Sequence, residues 1–158
     1  MTLYLLLKTL HVIGATVLFG TGAGIAFFML MAHRTGDPRT IAHTAGVVVI
    51  ADTVFTATAV LLQPITGAML AHIIGFPLLH GWIALSLLLY LVTGAFWLPV
   101  VWMQLRMRDL ARAAVSDETP LPPEYHRLWR LWFASGFPAF FAVAGIIWLM
   151  VAKPDVGF

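Results

Sequence analysis

The chain is 158 residues long, 61% hydrophobic and 10% charged, with a mean hydropathy of +0.93 and nine Lys and Arg against seven Asp and Glu. A soluble domain carries about 25% charged residues, so the solvent around most of this chain is lipid. Cysteine is absent, which excludes disulfides, thiolate metal sites and cysteine nucleophiles. The small basic excess marks membrane topology rather than a nucleic-acid surface.

Four apolar segments are each long enough to cross a hydrocarbon core of about 30 Å, which takes about 20 residues. Helices are therefore expected over about 3–32, 45–74, 78–113 and 123–152. The expected fold is all-α: one transmembrane domain spanning 1–158, an integral membrane four-helix bundle. The first span is too long for a cleaved signal peptide and lacks a basic start and a small-x-small cleavage site. At 100° per residue its Tyr4, Lys8, His11, Ala15, Leu18 and Gly22 share a face, with Gly14 at the margin. Gly20 and Gly24 fall on roughly the opposite face, a small-xxx-small pattern for close helix packing.

The second span carries one polar stripe, Asp52, Thr56, Gln63, Thr66 and Gly67, which must face protein or water rather than lipid. Pro64 has no N–H to give the residue 60 carbonyl, which predicts a kink. Asp52 is expected to make an ion pair or hydrogen bond, with Arg130 or Gln104 as partners, or to transfer protons. The third span opens near His80 and continues into water as "RMRDLARAAV". The fourth starts at Pro122 or Pro123, with Glu124 favourable at its N-terminal dipole. It places Ser135, Ala139, Ala142, Leu149 and Lys153 on one face. Lys153 then either points inward or snorkels to headgroups. Trp82, Trp97, Trp102, Trp129 and Trp132 lie near span ends, as an interfacial belt places them.

Arg34 and Arg39 lie in the first connection, and Arg106, Arg108, Arg112, Arg127 and Arg130 lie around the third. Seven of nine basic residues thus mark one side, which predicts both termini outside and both Arg-bearing connections in the cytoplasm. His33, His43 and His126 fall on that side and are expected to be solvated. His11, His72 and His80 fall on the other. Neutral imidazole is a good axial ligand for haem iron, and a bundle core offers a slot for a macrocycle. A satisfied structural histidine is the alternative.

Along nearly its whole length the chain resembles an uncharacterised bacterial family of small four-helix predicted integral membrane proteins. The stretches that carry the likeness are "LKTLHVIGA", "LLQPITGAML", "LPVVWMQLRMR" and "RLWRLWFASGFPAFFAVAGIIWLMVAKP". A more distant likeness is to HemJ-type protoporphyrinogen oxidases, through Tyr4, Lys8 and His11, His80, Trp132, Pro138, Lys153 and Pro154. "ASGFP" lacks the asparagine–glutamate pair of those enzymes, "HGW" lacks their lysine, and "AFFML" lacks their proline–arginine pair.

These resemblances imply a multi-pass protein of the bacterial inner membrane that binds haem b. Its role would be redox, as a haem-dependent membrane oxidoreductase passing electrons between a reduced small molecule or quinone and a partner. His11 would be the axial ligand of the iron and His80 the second, with Lys8 and Lys153 neutralising propionates. Porphyrin or quinone would be the small-molecule partner, the bilayer the solvent, and a homo-oligomer an open possibility. The alternative from another class is a cofactor-free scaffold or accessory subunit whose polar stripe only locks helices. A third is a small transporter with Asp52 and Gln63 lining a path.

Overall fold

The computed structural model describes residues 2–156. Five α-helices make four spans: α1 Thr2–Thr35, α2 Pro38–Ala51, α3 Ala57–Ile74, α4 Gly81–Ser116 and α5 Pro123–Ala152. A π-helical turn over Asp52–Thr56 joins α2 to α3 into one continuous span. All four spans are long and apolar enough to cross a bilayer. The outer surface is what lipid requires: Leu61 is 68% exposed and Val151 81%. In water, such a continuous apolar surface would drive aggregation.

Four boundaries differ from the sequence expectation by three residues or more: α1 runs on to Thr35 and α4 to Ser116, and the starts of the second and third spans differ for local reasons. The second span begins at Pro38, not near 45. The Asp37 carboxylate accepts from the backbone N–H of Arg39 (3.2 Å) and Thr40 (2.9 Å), and Pro38 occupies the first helical position. Its first two turns are polar, so hydropathy alone misses them. The third span begins at Gly81, not at 78, because Gly81 adopts φ +58° and turns the chain into α4. That left-handed conformation suits glycine.

α4 and α5 pair along their length, α2 packs on α4, and α1 packs on α2 and α3. The hydrophobic core lies at the Arg-bearing end. There Met29 of α1, Ile41 of α2, Met107 of α4 and Tyr125 of α5 are fully buried, with Ala32, Ala45 and Ala111 between them. These small residues let the backbones approach closely. The Gly20–Gly24 pair does not serve that purpose, since a Cβ at either would meet no neighbouring atom of the described residues. Close approach occurs instead at Gly14 and Gly67, where α1 crosses α3.

Candidate functional site: a cavity at mid-membrane

Above the packed end the helices separate, and the backbone there is irregular. Pro64, Pro99 and Pro138 lie inside α3, α4 and α5. Each lacks an N–H and so frees the carbonyl four residues earlier. At Pro64 that carbonyl belongs to Val60, and the Tyr90 hydroxyl of α4 donates to it. Tyr90 thereby satisfies a group that lipid could not and ties α4 to α3. On the same span the π turn inserts an extra residue per turn, a distortion often found at functional sites. Asp52 and Thr56 both point inward from it, 5% and 6% exposed.

Between the helices lies a cavity of about 530 Å³. Leu18 and Gly22 of α1 line it, with Asp52 and Thr56 of the π turn, Tyr90, Thr93, Trp97 and Gln104 of α4, and Trp132, Phe137 and Phe140 of α5. The wall is otherwise apolar and aromatic. Asp52 Oδ1 accepts from the Trp97 indole N–H at 3.4 Å, a long bond. Among the described residues the ion pairs are Arg106–Glu124 and Arg108–Asp109, neither of them in the cavity. The expected Arg130 partner is exposed and Gln104 lines the same cavity, but the group that reaches Asp52 is Trp97. Thr56 Oγ1 and Trp132 Nε1 are buried with no hydrogen-bond partner among the described residues.

The aromatic belt expected from sequence is therefore only partly a belt. Trp102 is 60% exposed, as a belt residue is, whereas Trp132 is 4% exposed and lines the cavity with Trp97. The cavity's α4 wall was readable. Tyr90, Thr93, Trp97 and Gln104 follow at intervals of three, four and seven residues, one helix face. This second polar stripe faces the one on the second span.

The remaining sequence candidates fall into two other places. His11, half-buried, lies at the α1–α3 crossing, where its Nδ1 is 2.8 Å from Thr66 Oγ1. The Thr66 hydroxyl is also 2.8 Å from the Leu62 carbonyl. Every group is satisfied when Thr66 donates to Leu62 and accepts the Nδ1 proton of His11. Gln63 Nε2 donates to the His11 carbonyl at 2.8 Å. Glycines make room for this lock: a Cβ on Gly67 would meet His11 Cε1 at 3.2 Å, and one on Gly14 would be driven into Gln63 Nε2. Gln63 thus does not line the cavity; it staples two helices.

His80 and Lys153 come together at the termini end. They share a smaller pocket of about 270 Å³ with Phe76, Trp82 and Asp155, and Lys153 Nζ lies 5.9 Å from the Trp82 ring centroid. Lys153 caps α5 at φ +43°, in the left-handed region. Lys8 is exposed, its Nζ 5.9 Å from the Tyr4 ring. His11 lines neither pocket, and His80 lies in the one that Lys153 shares. Among the described residues no three His, Asp, Glu or Cys side chains are grouped for a metal ion.

At the Arg-bearing end His33 is not simply solvated. It stacks on Trp129 at 3.8 Å between centroids, and its Nδ1 is 3.3 Å from the Tyr125 hydroxyl.

Residues 5–154 match the predicted integral membrane protein family DUF2269. The chain belongs to that family. No curated protein and no solved structure matches it. Family membership thus supports an integral membrane bundle. The comparisons give no support to the HemJ likeness read from Tyr4, Lys8, His11, His80, Trp132, Pro138, Lys153 and Pro154.

Proposed function

We propose that the protein binds a membrane-soluble small molecule in the mid-membrane cavity, with Asp52 as its polar anchor. The observation that carries this reading is a carboxylate 5% exposed, held by one long hydrogen bond, in the wall of a 530 Å³ apolar cavity. Burying a carboxylate without a cation is costly, and an ionisable side chain inside a membrane marks function by default. The volume suits a drug-sized ligand, and aromatic walls suit flat apolar ones. Mass spectrometry of solvent extracts from protein purified in mild detergent tests it. A stoichiometric small molecule lost in Asp52→Leu supports the reading; lipid alone, equal in both proteins, refutes it.

Haem b with a redox role is the second reading, and one observation favours it. With Nδ1–H given to Thr66, His11 keeps Nε2 as its unprotonated ring nitrogen, the arrangement metal-bound histidines adopt. Lys8, one turn away on the same helix, could meet a propionate, and His80 with Lys153 forms a separate pocket. The absorption spectrum of protein made with ample haem tests this. A Soret band lost in His11→Ala supports haem on His11; a colourless wild type refutes it.

A further inference from the structure

The chemistry of the cavity wall narrows what it takes. Asp52 is its carboxylate, and its described lining includes no Lys, Arg or His. When Asp52 is ionised, its charge is left for something other than the described lining to balance. Tyr90, Trp97, Trp132 and Phe137 line the same cavity. Aromatic faces attract cations, most strongly where water is excluded. Two further polar groups of the wall, Thr56 Oγ1 and Trp132 Nε1, have no hydrogen-bond partner among the described residues. Their residues are 6% and 4% exposed.

We infer that the ligand is a lipophilic organic cation, an amine or onium centre on an apolar body, paired with Asp52 inside the membrane. An ionised buried carboxylate gains from an opposite charge brought to it, because their attraction, strong in low dielectric, offsets part of the desolvation cost of both. The rings add attraction for the same centre and contact for its apolar body. A neutral molecule of the same shape obtains the apolar contact alone. The inference rests on the binding function proposed above and adds the charge of the ligand to it.

The test uses full-length protein in lipid nanodiscs, with empty nanodiscs subtracting partition into lipid. Tetraphenylphosphonium is the cationic probe and triphenylphosphine oxide the neutral one, each titrated by equilibrium dialysis. Wild-type protein should bind the cation saturably and at least about tenfold more tightly than the neutral probe, tenfold being 1.4 kcal/mol. Asp52→Glu should keep that preference and Asp52→Asn should lose it. Equal binding of both probes by the wild type overturns the cation inference and leaves the binding function standing. A preference that survives in Asp52→Asn also overturns it. Saturable binding of neither probe overturns both readings. If Asp52→Asn fails to fold, shown by size exclusion, the wild-type ratio and Asp52→Glu still decide.

Discussion

The Arg-bearing end and the middle of this bundle are built from the same apolar alphabet and do opposite things with it. At the Arg-bearing end Met29, Ile41, Met107 and Tyr125 are fully buried and pack with alanines. At mid-membrane three helix-interior prolines and a π turn spread the spans, and glycines and aromatics line the gap. In lipid, apolar character does not itself bring helices together; close packing and interhelical hydrogen bonds do. A region thus becomes core or cavity according to how well its side chains fit. Hydrophobicity does not decide it.

Substitution can break that contrast, beginning at the packed end. Met107→Ala should cost about 2–5 kcal/mol, the range for truncating a buried Met, Leu or Ile. Thermal unfolding in detergent measures it, beside Leu18→Ala on the cavity wall, which should lose much less because Leu18 already borders open space. Equal losses would mean that the cavity is filled and tightly packed.

The α1–α3 lock is the next largest. Gly14→Ala puts a methyl group where Gln63 Nε2 lies, so Gln63 gives up its bond to the His11 carbonyl, and a polar group left without a partner there should cost about 1–3 kcal/mol. Gly20→Ala, with open space around its Cβ, should be neutral in the same assay. A Gly20→Ala loss with Gly14→Ala neutral would point to packing on a face that this chain leaves open.

Tyr90→Phe tests the bridge across the cavity. It leaves the Val60 carbonyl, already deprived of its helical partner by Pro64, without a donor. An unsatisfied buried acceptor costs about 1–3 kcal/mol. Pro64→Ala should rescue the double variant by restoring a backbone donor, and an absence of rescue would show that Tyr90 acts by packing.

The smallest effect lies outside the membrane. Hydrogen bonds from Thr40, then from the Thr40 and Arg39 backbones, hold the Asp37 carboxyl below the usual carboxylate range. A depressed carboxyl contributes stability above its unfolded pKa and loses it as pH falls through its folded one. Asp37→Asn should therefore lower stability slightly near neutral pH and leave it unchanged at acid pH, which flattens the acid limb of thermal unfolding measured against pH. Reporter fusions after Val156 and within residues 117–120 test the side on which each end lies. An outside signal at the first and an inside signal at the second are expected from the arginines.

By itself the sequence determined the solvent, the number of spans and the membrane bundle, because apolar runs of this length have no other stable form in lipid. It also marked Asp52 and the polar stripe of the second span as inward-facing, since lipid would reject them. It did not divide that stripe. Asp52 and Thr56 went to a cavity, Gln63 and Thr66 to a lock with His11, and only the π turn and the crossing of α1 over α3 made that division. Trp97 as the partner of Asp52 was likewise a tertiary outcome. Helical periodicity fixes which residues share a face, but the depth and angle at which two helices meet decide which opposing side chains touch. His80 and Lys153, far apart in the chain, meet for the same reason, because α4 and α5 pair along their length.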